Sequence, residues 1–131
     1  MLYLDASAIV KLVVSEPESA ALVEVIRTDP RIVSSTVART EVTRAALRAR
    51  VARGRAPLVL DGIAFIPVDD AILDAAGALQ PRTLRSLDAI HLASALSMRS
   101  ELDSMVVYDE RLADAAMTAR LPVSSPGKHD E

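Results

Sequence analysis

The chain has 131 residues, half of them hydrophobic, and a formal net charge of −3 at pH 7. That length suits one domain with a sizeable core, and no run of about 18 uncharged apolar residues offers a membrane span. Cysteine is absent, which excludes disulfides and thiolate metal sites and fits a reducing cytoplasm.

Leu2-Tyr3-Leu4 is a short apolar run ended by Asp5-Ala6-Ser7, which reads as a buried strand followed by a helix start. No basic region precedes it, so no signal peptide is expected. A helix from Ala6 to Val14 stops at Ser15-Glu16-Pro17-Glu18. That stretch has the pattern of a capping box, with Ser15 as N-cap and Pro17 in the first turn. The next helix runs to Thr28, Asp29-Pro30 breaks it, and Ile32-Val33 makes a second strand. Ser34, Ser35 or Thr36 then caps a long helix to Arg53, closed by Gly54.

Residues 57–63 read as a short helix, Phe65 to Val68 as a third strand, Asp69 to Leu79 as another helix, and Pro81-Arg82-Thr83 as a loop. "SLDAIHLASA", residues 86–95, has the look of a wholly buried helix, yet it carries Asp88 and His91 on one side. Met105 to Tyr108 is the fourth strand, Asp109 to Ala119 the last helix, and Pro122-Val123 a short edge strand. Short apolar strands alternating with helices predict an α/β fold, a mostly parallel sheet of four or five strands covered on both faces. One domain over residues 1–123 is expected, followed by a polar, flexible tail over 124–131 that includes His129.

Two strands end alike. Asp5 follows the first and Asp109 the fourth, each leading directly into a helix, and a parallel sheet binds ligands at such strand ends. Either residue can equally be a helix N-cap. Asp88 lies in a first turn, with Ser86 as a plausible cap, where the helix dipole favours a carboxylate. Glu41 edges the apolar stripe of Ala38, Val42, Ala45 and Ala49, and a solvated pair with Arg44 would also account for it.

Taken together, the four acids are harder to dismiss. Carboxylates converging in one crevice repel each other unless a cation neutralises them. Oxygen ligands without cysteine or a histidine pair suit Mg²⁺ or Mn²⁺ rather than Zn²⁺. Net charge gives no hint of a nucleic-acid binder, and 2 % aromatic residues are too few for a base-stacking platform. Any nucleic-acid chemistry here would work through metal and cations.

Asp5-Ala6-Ser7-Ala8 after an N-terminal strand, Glu41 early in the third helix, "SLDAIHLASA" and "VVYDERLADAA" together resemble the PIN-domain nucleases. The compact form is similar to the VapC-type toxins of bacterial type II toxin–antitoxin systems, over residues 2 to about 123. The resemblance implies a three-layer α/β/α PIN-like fold and a Mg²⁺-dependent endoribonuclease of the cytoplasm. It also implies RNA as substrate, inhibition by a VapB-type antitoxin and a homodimer. The family's acidic quartet falls on Asp5, Glu41, Asp88 and Asp109, with Asp5, Asp88 and Asp109 as the main metal ligands. Glu41 would orient a water or hold a second ion, and Ser7 would contact water or phosphate.

Two positions depart from the family pattern. Val107 stands where a hydroxyl residue is common, and Ala119-Arg120-Leu121 replaces a glycine before the last strand. Asp114 is a weaker candidate ligand. Arg44 and Arg48 share the flank that carries Glu41 and are candidates for binding the RNA backbone. His91 is expected to pack or to support a ligand, because a lone histidine cannot run two-histidine ribonuclease chemistry.

Competing readings are an inactive PIN-like binding module and a phosphoryl-transfer enzyme. Haloacid-dehalogenase-type phosphatases need an Asp where Ser7 stands. Receiver domains need an acidic pair at a strand end, whereas Asp69-Asp70 opens a helix.

Overall fold

The computed structural model describes residues 1–29 and 31–128, so the expected helix break at Pro30 and the place of His129 lie outside the described residues. The chain runs β1 (Leu2–Leu4), α1 (Ala6–Val13), α2 (Ser19–Thr28), β2 (Ile32–Ser35), α3 (Val37–Ala49), α4 (Arg55–Asp61) and β3 (Ala64–Ile66). It continues through α5 (Asp70–Gly77), α6 (Ser86–Ser97), a 3₁₀ turn (Arg99–Glu101), β4 (Ser104–Val106), α7 (Glu110–Thr118) and β5 (Val123–Ser124). The strands form one sheet in the order β3-β2-β1-β4-β5, and every pairing is parallel.

Side chains alternate across β1 as a pleated strand requires. Leu2 and Leu4 join Ile9 and Val13 of α1, Leu22 of α2 and Val42 of α3 on one face. Tyr3 points to the other, among Leu92 of α6, Met105 of β4 and Leu112 of α7. With both faces covered, the strands can be apolar throughout, and each parallel connection passes through at least one helix. No helix among the described residues is long and apolar enough to cross a membrane.

Strand order reverses between β1 and β4: from β1 the chain builds outward through β2 and β3, then returns to lay β4 on the other side of β1. Ligand crevices of open parallel sheets lie at such a switch, outside the carboxyl ends of the strands. The chain places Asp5 and Asp109 there.

Several expected boundaries move. Ser15 is not a cap. Helix α2 begins at Ser19 with Glu18 as an N-cap that makes no side-chain cap bond. Lys11 draws Glu18 away, with Nζ 2.6 Å from its carboxylate, and Ser19 Oγ accepts from the Glu16 N–H instead. A tertiary ion pair has overridden the local motif. Helix α3 stops at Ala49 rather than Arg53, because Arg50 adopts a left-handed conformation (φ 57°) and its N–H caps the Ala46 and Leu47 carbonyls. Arg120 does the same at φ 66°, holding the turn where the family's glycine is missing. Ser86 is inside α6, and Arg85 occupies the N-cap without a side-chain bond. Leu87 is 46 % exposed, so α6 is not wholly buried.

The third and fourth strands are shorter than expected, and the edge strand is Val123–Ser124. Beyond it the chain continues in the same direction alongside Val107 and Tyr108: Ser125 Oγ donates to the Val107 carbonyl, and the Tyr108 hydroxyl donates to the Pro126 carbonyl at 2.8 Å.

A left-handed arginine costs about 1–2 kcal/mol, which glycine avoids at the expense of a more flexible unfolded chain. Arg50→Gly should therefore raise stability by up to ~1 kcal/mol in urea melts. A loss of stability would mean that the arginine side chain contributes something its backbone conformation does not reveal.

Candidate active site

Asp5 is buried at the carboxyl end of β1. Its Oδ1 accepts from the Ala8 N–H at 3.0 Å, capping α1, and from Ser7 Oγ at 2.7 Å. Among the described residues Oδ2 accepts no hydrogen bond and still meets solvent. Burial pushes the Asp5 carboxyl up to about 6, against the pull of the Ser7 bond. Charge on Asp88 adds to the rise and charge on His91 opposes it. A carboxylate this buried, with one oxygen accepting no hydrogen bond among the described residues, is poorly stabilised as an anion by the protein alone.

Asp88 is half-buried in the first turn of α6 and accepts no hydrogen bond among the described residues. Its carboxyl is also held above the ordinary value, first by desolvation, then by the charge of Asp109, with a smaller push from Glu41. His91 and Arg85 act in the opposite direction. Asp109 is exposed and caps α7, accepting from the Arg111 N–H at 2.8 Å. The two strand-end acids are thus both N-caps and both at the topological switch. The two readings of them describe one geometry.

Glu41 stands in the second turn of α3, with its side chain 25 % exposed. It meets His91 rather than Arg44: His91 Nε2 lies 2.7 Å from Glu41 Oε1. The other ring nitrogen, Nδ1, lies 2.7 Å from the Tyr3 hydroxyl, and the two rings meet edge to face at 78°. His91 is therefore more than a packing residue. It ties β1 and α6 to α3 across two layers of the fold.

A cavity of about 970 Å³ opens beside the acids, lined by Asp88, Asp109 and Asp114 together with Arg85, Arg111 and the Gln80-Pro81 turn. Arg85 and Arg111 escaped the sequence reading, because only the approach of α6 to α7 puts them at one opening. Arg44 lies elsewhere. It lines a separate cavity of about 850 Å³ with Arg39, Thr40, Thr43 and Phe65, between α3 and α4, while Arg48 is exposed on the same helix. Val107 is fully buried in the α6–α7 face of the core, so that position offers the crevice no side chain.

Hard carboxylate oxygens suit a hard divalent cation. Among the described residues, however, no three His, Asp or Glu side chains surround a common point at metal-binding distance. That spacing excludes a closed cage of the zinc kind but not Mg²⁺, which keeps several of its waters and takes one or two carboxylates plus substrate phosphates.

A PIN-domain family model matches residues 2–117. Among curated proteins, the chain is 49 % identical over 129 residues to ribonuclease VapC46 of Mycobacterium tuberculosis, covering 95 % of this chain and 97 % of that protein. It is 36 % identical to ribonuclease VapC47 of the same species, covering 97 % and 98 %. The fold also superposes on the M. tuberculosis VapC20 crystal structure, described as a sarcin–ricin-loop-cleaving toxin, with a TM-score of 0.69 at 13 % identity over 88 % of this chain and 95 % of that one. A Rickettsia felis VapBC2 structure bound to promoter DNA gives 0.67 at 12 % identity, covering 96 % and 99 %. By the family model and by these relatives, the chain belongs to the PIN-domain family.

Proposed function

We propose that this protein is a VapC-type endoribonuclease, the toxin of a type II toxin–antitoxin pair, which hydrolyses RNA phosphodiesters with Mg²⁺ or Mn²⁺. The observation that carries the metal-dependent chemistry is the crowding of acids at the sheet switch. Asp5 and Asp88 are both held above ordinary carboxylate values by burial and by other acids. The relatives' name, ribonuclease VapC, supports RNA as the substrate.

Asp5, Asp88 and Asp109 would hold the ion, one or two directly and the rest through its waters, and the ion would supply Lewis-acid polarisation of the phosphate and a more acidic water. Ser7 holds Asp5 in place through the bond to Oδ1. Glu41, anchored by His91, orients the water for in-line attack at phosphorus. Arg85 and Arg111 at the cavity rim counter the charge of flanking phosphates, and Arg44 and Arg48 on the α3 side meet the RNA backbone farther from the acids. Asp114 lines the same cavity and would reach the ion only through water.

The partner we propose is a VapB-type antitoxin that covers the acidic crevice with a basic side chain, because a guanidinium can pair with two carboxylate oxygens where the ion would sit. A cytoplasmic homodimer completes the proposal.

Antitoxin-free protein should cleave single-stranded RNA in Mg²⁺, leaving 5′-phosphate and 3′-hydroxyl ends. Asp109→Asn keeps a side-chain oxygen to cap α7. The variant should melt like the wild type yet lose cleavage by orders of magnitude. Cyclic phosphate ends, or full cleavage in excess EDTA, would overturn the mechanism.

The Asp5 shift has a consequence for stability. Its folded value, about 6, lies above the ordinary 3.8, so its stabilising contribution is complete below about pH 4 and is lost as pH rises through 6. The loss is on the order of 3 kcal/mol. Asp5→Asn preserves the cap on α1 but cannot ionise. In EDTA at pH 7 it should melt above the wild type and show a flatter pH profile between 4 and 7. A lower melting temperature across that range would contradict the claim that burial and neighbouring acids make the Asp5 anion costly.

A further inference from the structure

We infer that Tyr3 and His91 are positioning residues, a buried hydrogen-bonded chain that fixes the Glu41 carboxylate in the crevice for cleavage. The inference rests on the proposed role of Glu41 in RNA hydrolysis and names what makes that side chain competent. The sequence leaves His91 between packing and support of a ligand, and it marks Tyr3 for no role.

Geometry fixes the hydrogen that reaches Glu41. The Tyr3 ring is wholly buried, and burial disfavours a phenolate, so its hydroxyl keeps its hydrogen. The two hydroxyls beside it, Ser34 and Ser94, donate to the Leu4 and Ile90 carbonyls at 2.6 and 2.7 Å. They are left to act only as acceptors toward Tyr3. A hydrogen on His91 Nδ1 alone would turn a bare Nε2 lone pair toward a carboxylate oxygen 2.7 Å away, which is repulsive. In the Nε2–H tautomer and in the doubly protonated ring alike, Nε2–H donates to Glu41 Oε1, while the Tyr3 hydroxyl bonds Nδ1, donating to the neutral ring or accepting from the charged one.

A histidine that only satisfied the core would spend its donor inside the core. Here the Nε2–H of a residue 1 % exposed goes to a partly exposed acid on a different helix layer, 50 residues earlier in the chain. Tyr3 is itself immobile, packed among Leu92, Met105 and Leu112 on the central strand. Glutamate is a long, rotamer-rich side chain, and this chain holds one of its oxygens before substrate arrives, so no ordering remains to be done in the transition state.

The test is a double-mutant cycle under single-turnover conditions, using antitoxin-free protein in excess over an end-labelled randomised oligoribonucleotide with Mg²⁺. Glu41→Ala should slow cleavage. Tyr3→Phe removes only the hydroxyl and should slow it about tenfold to a hundredfold without changing the concentration dependence for RNA. In the Glu41→Ala background, Tyr3→Phe should change the rate by no more than about twofold. An equal loss in both backgrounds, or no loss on Tyr3→Phe, overturns the chain while leaving the role of Glu41 intact. No loss on Glu41→Ala overturns both. If Tyr3→Phe does not fold, His91→Gln, which restores an N–H near Nε2, should cleave faster than His91→Leu per folded molecule, and equal rates overturn the proposal.

Discussion

Burial of carboxylates at the carboxyl edge of β1 and β4, reinforced by their mutual repulsion, is the constraint on which the rest of the structure turns. An isolated buried acid would neutralise or find a basic partner, and among the described residues Asp5 accepts from a hydroxyl and a backbone N–H alone. Asp88 has Arg85 in its field, but desolvation and Asp109 outweigh it. Such a cluster is a standing cost to the metal-free fold, and a divalent cation is the simplest species that removes it.

The parallel topology makes that crowding possible. Parallel pairing of β1 with β4 brings two strand ends to one edge, and each is followed within a few residues by an aspartate that caps a helix. The capping bonds fix where the carboxylates sit, and in Asp5 they engage one oxygen and leave the other free. Helix α6 brings Asp88 from one layer, and α3 brings Glu41 from the other. His91 joins those layers, so the crevice is held from both sides of the sheet.

Much of this was legible in the sequence because it is local. An apolar triplet ending in aspartate and then a helix predicts both a buried strand and a carboxylate at its end, as seen for Asp5, and the same holds for Asp109. Element order was readable for the same reason. What failed depended on distant partners. The capping box at Ser15 lost to an ion pair with Lys11, and Glu41 passed over Arg44, its neighbour on the helix, for a histidine on another layer. Arg50 and Arg120 occupy left-handed turns where glycine would have announced the boundary. Tyr3 lies 88 residues from His91, and nothing in a strand of three apolar residues marks one of them as the hydrogen-bond partner of a histidine on another layer. Arg44 belongs to a different cavity, a separation set by the packing of α4 that helical spacing alone does not reveal.

The most direct measurement is calorimetric titration of Mn²⁺ into antitoxin-free protein at pH 6, in buffers of different ionisation enthalpy. If an ion takes the place of the protons that crowded carboxylates retain, binding must release protons, and Asp5→Asn must bind more weakly and release fewer. Binding with no proton release, or equal binding by Asp5→Asn, would contradict the claim that the acids of this crevice are assembled around a cation.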